Sequence, residues 1–560
     1  MSFLEKYPRT LLILLTACYL LPGIKQLPLL DRDEPRFSRA TVEMMERGNW
    51  VVPYFNNEYR FDKPPLTYWW MNLHYRLLGV TEKAARLHSI ICVGLIALLT
   101  HALALRMKCS QRTALLAAFI WISTLQVWIH GRLALADMPL ILGITMTMLG
   151  LHGYLFTEPG KSIFNKNFWL VYLGISIGFL AKGPLAYFIP GISLGLFLLL
   201  GRKHPVAGRN LNHLGQSAVA GLPLTLLLIG LWGIPALLQT DGAYFEVGIG
   251  EHVVERGVQS FNERFFIPGV YYFGAILVFF SPWVSALIPS IKANWKQRET
   301  SPAGLLLLCW AASSFLIFSF YKTQLPHYIL PGYPALAIMA ASFLSEGHLR
   351  SFQISHWINR IVLLIVVILC ITIASILWPI DHVRSLPLAL LSLAWISLML
   401  LTASELIFRK RTKWSILAIS LSAIGFTPFA HHIRNSHITV ALEDQLGQAE
   451  LSSGNAYGIG FSEPSLIWYT NRYWNFKGSK ELDQIEMAAD DVLVFGARRW
   501  RLDEDMIFNW IRRKPVQALH DRRSEMIDRF PSHDIQWVSG FNPGNSSWIE
   551  LALVREKESK

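Results

Sequence analysis

Residues 9–37 read RTLLILLTACYLLPGIKQLPLLDRDEPRF. The stretch from Leu11 to Leu21 carries no charge, and with its flanks it forms an apolar run over 9–27. About 20 apolar residues cross a hydrocarbon core about 30 Å thick. Immediately beyond, Asp31-Arg32-Asp33-Glu34-Pro35-Arg36 packs three carboxylates and two arginines into six residues. An apolar span that opens onto a dense charged mouth is the unit from which the rest of the chain is read.

That unit recurs. Of 560 residues, 52% are hydrophobic and 16% charged, against about 25% charged in ordinary soluble domains. The apolar excess falls in blocks and not in amphipathic stripes, which excludes a soluble helical bundle. About thirteen spans are expected, over 9–27, 88–105, 113–130, 138–156, 167–181, 184–201, 215–238, 269–290, 303–320, 328–346, 359–378, 386–404 and 414–430. Only Ala181-Lys182-Gly183-Pro184 separates the fifth from the sixth. Lys and Arg gather in cytoplasmic loops. With Lys6 and Arg9 at the cytoplasmic end, the loops carrying Arg106, Lys108 and Arg112, then Lys161 and Lys166, then Arg202, Lys203 and Arg209, are short and basic. The same holds for Lys292, Lys296 and Arg298, for Arg350 and Arg360, and for Arg409 to Lys413. The net charge of +12 thus reads as a topology signal with some attraction for anionic membrane lipid, not as a nucleic-acid footprint. On the other side, the first outer loop (28–87) and the loop 239–268 are long and mix acids, bases and aromatics.

Residues 1–431 therefore form a transmembrane domain, and the character changes from 432 to 560. Strand-like runs (Ala456–Phe461, Val492–Phe495, Trp548–Val554) alternate with helix-like stretches such as Asp503–Arg512, as expected for a small outer α/β domain. Five cysteines (Cys18, Cys92, Cys109, Cys309, Cys370) show no disulfide framework and no metal-type spacing. Leu15-Thr16-Ala17-Cys18 resembles a lipoprotein cleavage box, but apolar sequence continues through Leu21, so Cys18 reads as a residue inside the first helix. No clear small-residue site marks a cleaved signal peptide.

The chemistry gathers on the outer side. Arg39 to Arg47 has helical spacing with Val42 and Met45 on one face, and is expected to lie flat at the membrane surface. Gly48-Asn49-Trp50 follows, then Tyr59-Arg60-Phe61-Asp62-Lys63-Pro64-Pro65, leading into the interfacial aromatics of Leu66–Trp70. Further charges stand at outer helix mouths: Arg132 and Asp137; Lys182; Glu251, His252 and Arg256; Lys322 with His327 and Tyr328. A charge near a bilayer is costly unless paired or solvated, so their convergence predicts one polar cavity. Fixed Lys and Arg suit phosphate, and a cavity at the membrane boundary suits a phosphate with a lipid tail. A carboxylate such as Asp33 can take a proton from a nucleophile or stabilise positive charge at a sugar carbon. On the residues alone, glycosyl transfer from a lipid phosphate, lipid flipping and transport all stay open. His88, His252 and His327 read as hydrogen-bonded interface histidines ahead of metal ligands.

The pattern Asp33-Glu34-x-Arg36, then Gly-x-Trp, then Phe61-Asp62-Lys63-Pro64, resembles the lipid A 4-amino-4-deoxy-L-arabinose transferases and the related protein mannosyltransferases. These are GT-C-type integral-membrane glycosyltransferases that use polyprenyl-phosphate sugars. The resemblance extends to the Asp137 motif, Lys182-Gly183, the His252 to Arg256 loop and the Lys322 to Pro331 motif. It implies a mainly α polytopic protein of the bacterial inner membrane with a C-terminal periplasmic α/β domain. It implies Asp33 as the catalytic carboxylate, Asp137 as a second carboxylate, and Glu34 orienting its neighbours. Arg36, Lys63 and Arg256 would hold the lipid phosphate, aided by Tyr328, Lys182 and Lys322. Two departures stand out. The family often has Tyr-Phe-Glu-Lys-Pro where this chain has Arg60-Phe61-Asp62-Lys63-Pro64, and the arginine after His252 is displaced by one residue. No cofactor is required; a divalent metal at Asp62 and His252 stays open. The expected function is transfer of a sugar, with inversion, from undecaprenyl phosphate to lipid A or another periplasmic acceptor. A protein O-mannosyltransferase-like enzyme and a non-enzymatic lipid-linked sugar translocator are the alternatives. A translocator should show internal repeats and broken helices at the bilayer midplane; no clear repeat is visible, and the charges gather at one surface.

Overall fold

The computed structural model describes residues 6–157, 162–202, 204, 211–248, 269–321, 323–346, most of 356–368, 386–409, 411–446, 454–488, 490–501, 520–542, 544 and 547–556. Among them, seven helices are long and apolar enough to cross a membrane: Glu82–Arg106, Asp137–Phe156, Leu211–Gln239, Pro302–Ser319, Pro326–Glu346, Pro387–Ile407 and Lys413–Ser436. Three more apolar helices, Pro8–Leu20, Leu185–Leu200 and Val270–Phe279, are shorter. The protein is a multi-pass, mainly helical membrane protein. Most of the span expected over 359–378, and the stretch Asp503–Arg512, lie outside the described residues.

Several expected spans are shorter or broken, each for a local reason. The first helix ends at Leu20, where Pro22 has no backbone N–H with which to continue the helical ladder. Arg132 then donates to the freed carbonyls of Tyr19 (2.5 Å) and Leu20 (3.0 Å). The expected span 113–130 is two helices, Gln111–Ser123 and Leu125–His130. That over 269–290 is also two, Val270–Phe279 and Val284–Lys296, with Pro282 between them. The two breaks answer each other: Leu125 N donates to Ser281 O (2.9 Å) and Trp283 Nε1 to Ser123 Oγ (2.9 Å). Backbone groups freed inside a membrane domain need such partners. Neither break lines a described cavity next to the charged mouth.

One helix pair positions the site. Asp137–Phe156 and Lys166–Lys182 are joined by a short connection and run antiparallel. Small residues let their backbones touch. A Cβ on Gly174 would stand 2.6 Å from Gly143 O, and one on Gly143 would stand 2.6 Å from Gly178 N. Thr147 Oγ1 bridges Gly143 O (2.9 Å) and Val171 O (3.3 Å). The start of one helix and the end of the other thus meet on the same face of the membrane domain.

The helix expected over 39–47 starts earlier, at Asp33, and ends at Arg47 on the left-handed Gly48. Its Val42–Met45 face packs on the cluster that holds Phe37, Tyr68 and Trp468. It is packed between helix Leu66–Leu78 and helix Pro464–Thr470 of the C-terminal region. Arg39 and Glu43 are buried and ion-paired at 3.2 Å, and Arg39 Nη1 also donates to Asn471 Oδ1 at 2.5 Å.

A short antiparallel pair, β1 (Tyr54–Phe55) and β2 (Glu58–Tyr59), follows helix Asp33–Arg47, and the C-terminal region builds one sheet from β3 (Ala456–Ile459), β4 (Trp474–Lys477), β5 (Val492–Arg501), β6 (His520–Asp521), β7 (His533–Asn542) and β8 (Ser547–Glu556). The order is β4-β3-β5-β8-β7, with β6 beside β5. The β3 strand is parallel to β4 and β5, and β8 is antiparallel to β5 and β7. Its core joins Leu466, Trp474, Val494, Ile549 and Leu551 to Ile438 and Leu442 of helix Ile438–Leu446. The helix Phe426–Ser436 precedes it.

Candidate active site

Two cavities of about 440 and 470 Å³ adjoin and share Asp62, Lys63, Asp137, Lys182, His327 and Tyr328. The first is walled by Leu140, Ile141, Phe179, Phe188, Trp232 and Phe318. The second adds Asp33, Arg36, Glu58 and Arg60. One chamber suits hydrocarbon, the other suits charge, and the shared wall carries the ions.

The shared wall has two ion-pair groups. Lys182 Nζ donates to Asp137 Oδ1 at 2.6 Å. His327 Nε2 stands 3.8 Å from the same oxygen. The His130 ring lies 4.6 Å from that of His327, and Gln126 Nε2 contacts His130 Nδ1 at 2.9 Å. Opposite, Arg60 Nη2 donates to Asp62 Oδ2 (2.8 Å) and Lys63 Nζ to Asp62 Oδ1 (2.7 Å). Arg60 Nε also meets the Tyr68 hydroxyl at 3.1 Å. The Tyr244 hydroxyl donates to Lys63 O at 2.6 Å, tying the motif to the apolar chamber. Two prolines after Lys63 start the helix Leu66–Leu78 and remove competing backbone donors.

Asp33 and Arg36 project from the first turn of helix Asp33–Arg47 into the polar cavity. Among the described residues, neither side chain makes a hydrogen bond or ion pair. Burial and the nearby Arg60 charge push Arg36 below its ordinary range, against the pull of Asp33 and Asp62. An arginine in that setting gains from an added anion.

Glu34 faces the protein interior, among the neighbours it was expected to orient. It is 1% exposed and lines neither cavity. Arg86 holds it through two 2.8 Å bonds, and it accepts Leu30 N (2.9 Å) and Ala134 N (2.7 Å). It is a structural clip because every oxygen is already taken. Arg132 is another: beyond its two carbonyls it lies over the Trp128 and Phe426 rings, away from the cavities. His88 bonds Ala85 O and Leu135 O. Arg256, His252 and Lys322 lie outside the described residues. Among the described residues, no group of three or more His, Cys, Asp or Glu could hold a metal. Asp62 has both oxygens on cations. Arg60 and Tyr244 had no assigned role from sequence. Arg60 stands inside the quoted motif, which was the available signal; Tyr244 had none.

The fold and site define a class: a polytopic, mainly helical membrane protein with a charged cavity beside an apolar one. Among solved structures, ArnT from Cupriavidus metallidurans bound to undecaprenyl phosphate has this fold, with a TM-score of 0.70 at 16% identity over 99% of this chain and 98% of that one. Residues 11–245 match the dolichyl-phosphate-mannose-protein mannosyltransferase family. The undecaprenyl phosphate-alpha-4-amino-4-deoxy-L-arabinose arabinosyl transferase of Aeromonas salmonicida is 30% identical over 64% of this chain and 64% of its own length. That of Pectobacterium carotovorum subsp. carotovorum is 30% identical over 62% of each. The chain thus spans less than two thirds of the length of these relatives.

Proposed function

We propose that this protein is an inner-membrane glycosyltransferase that moves a sugar, 4-amino-4-deoxy-L-arabinose, from undecaprenyl phosphate to lipid A or a similar acceptor on the periplasmic side. The observation that carries the reading is the pairing of an apolar chamber with a polar one across a wall of Lys63, Lys182 and Tyr328. A polyprenyl tail fits the first and its phosphate the wall. The names of the similar arabinosyl transferases support the donor and sugar.

In this reading the acceptor oxygen attacks the anomeric carbon from the face opposite the phosphate. The carbon–oxygen bond to phosphate breaks, and undecaprenyl phosphate leaves with the electron pair. Lys63, Lys182, Arg36 and Arg60 stabilise the charge that develops on it. Asp33 takes the proton of a hydroxyl acceptor; for a phosphate acceptor it steadies positive charge at the sugar instead. These fixed cations carry the developing charge in this reading; activity that survives EDTA supports it, and a loss restored by a divalent cation adds a metal to the site. Thirteen spans, with 432–560 on the periplasmic side, complete the proposal; the alternating basic loops support it.

The test uses protein in lipid nanodiscs, a panel of undecaprenyl-phosphate sugars and lipid A, with Asp33→Asn alongside wild type. Mass spectrometry should find modified lipid A and released undecaprenyl phosphate for wild type only. Release without modified lipid A would discard the acceptor. No release with any donor would discard the enzyme and leave the translocator, read next by a flipping assay.

A further inference from the structure

No described residue beyond Pro331 lines either cavity, yet the α/β domain reaches the turn that carries Asp33. We infer that this domain is a positioning device: helix Pro464–Thr470 and the preceding Glu463 hold residues 29–32, and so aim Asp33 at the reacting carbon. The inference rests on the proposed role of Asp33 and gives the C-terminal domain its part in the reaction.

Leu29 N donates to the Tyr469 hydroxyl at 2.8 Å. Ser465 N donates to Asp31 Oδ1 at 2.8 Å. Arg32 Nε donates to Glu463 Oε2 at 3.2 Å, while Asn542 Nδ2 from β7 holds Glu463 Oε1 at 3.0 Å. Gly544 lies so close that a Cβ there would stand 3.1 Å from the Asp31 Cβ and 2.9 Å from Glu463 Oε2. The membrane domain holds the alternate positions: Glu34 accepts Leu30 N and is itself gripped by Arg86. Residues 29, 31 and 32 are thus tied upward, and residues 30 and 34 downward. Asp33, between them, projects into the polar cavity. The grip is registered to the membrane domain as well, since Tyr469 also reaches Glu82 (3.4 Å), which pairs with Arg434 at 2.7 Å.

The pattern is one of aim more than of adhesion. Arg32 is 55% exposed, and an exposed ion pair contributes little to stability. The placement of a reacting group, by contrast, is sensitive to shifts of about 1 Å, and a rigid supporting shell supplies it.

The test compares full-length wild type, Asp31→Ala, Asp31→Asn and Tyr469→Phe in nanodiscs. Hydrogen exchange is followed in a peptide covering residues 28–37, and kcat and KM are measured with an undecaprenyl-phosphate sugar. Exchange should quicken in Asp31→Ala and Tyr469→Phe, and kcat should fall about tenfold or more with KM within about twofold. Asn at 31 still accepts the Ser465 N–H, so Asp31→Asn should keep wild-type exchange and kcat. Wild-type exchange and kcat in Asp31→Ala and Tyr469→Phe overturn the inference. So does Asp31→Asn as slow as Asp31→Ala, since that outcome puts chemistry on Asp31 itself. If Asp31→Ala misfolds, Tyr469→Phe, which removes one oxygen, decides. If wild type releases no undecaprenyl phosphate, the functional reading fails on its own, and exchange still decides whether the domain holds the turn.

Discussion

Asp33 and Asp137 are both carboxylates of the polar cavity, and their neighbours give them different work. Asp137 is 8% exposed and bonded to Lys182; Asp33 is exposed and makes no hydrogen bond among the described residues. A carboxylate held by a lysine orients and neutralises, whereas an unengaged one in the cavity can exchange a proton. Asp33→Asn should therefore lower transfer by about 10²–10⁴-fold while leaving thermal unfolding and undecaprenyl phosphate affinity near wild type. Lys182→Met should act differently. It leaves Asp137 buried and uncompensated, which typically costs about 3–5 kcal/mol. A scan of thermal unfolding should show the loss, and Lys182→Met with Asp137→Leu should recover much of it without recovering transfer. Equal stability of the single and double variants would mean that Asp137 finds another partner. Sequence located all three residues but could not tell which carboxylate was engaged, because Lys182 is distant in the chain and only the fold brings it to 2.6 Å.

Elements set how accurately these groups meet. The helix pair Asp137–Phe156 and Lys166–Lys182 touches through Gly143, Gly174 and Gly178. Gly174→Val would drive a side chain into the Gly143 carbonyl, a backbone atom that cannot rotate away. The helices should part, and thermal stability and transfer should fall together. Unchanged transfer would show that the Asp137–Lys182 contact tolerates the shift. The Glu34–Arg86 clip fixes the turn before helix Asp33–Arg47 against helix Glu82–Arg106. Glu34→Ala leaves a buried guanidinium unpaired, with an expected loss of about 3–5 kcal/mol read by thermal unfolding. Sequence marked Glu34 by proximity to Asp33, but one residue along a helix turns a side chain by 100°. Asp33 faces the cavity while Glu34 faces the core.

At the scale of the molecule, the turn before helix Asp33–Arg47 and the C-terminal region meet at a titratable contact. Burial first, and then the Glu463 charge, push the Asp31 carboxyl up to about 7 from 3.8, against the Ser465 bond and the Arg36 charge. Arg32 also faces this cluster through Glu463. The docked state therefore keeps a proton that the separated state releases near 3.8. Docking is fully favoured below that value, weakens as pH rises through about 7, and is flat above it. Exchange in the 28–37 peptide should be faster at pH 8 than at pH 5.5 after correction for intrinsic rates, and Asp31→Asn should remove the difference. A pH-independent wild type would place the proton elsewhere.

The sequence by itself determined what short-range physics encodes. Apolar blocks require a membrane, and the charged motifs between them mark Asp33, Lys63, Asp137 and Lys182, which meet at one cavity. Only the tertiary structure decided the pairings. The helix Asp33–Arg47 has one apolar face whether its partner is lipid or protein, and packing put helix Pro464–Thr470 there. The helix breaks at Thr124 and Pro282 answer one another across the fold. Arg86 meets Glu34, and Tyr469 meets Leu29, across 52 and 440 residues. Such contacts depend on how elements dock, and docking is a property of the whole set of faces, which no local window of sequence contains.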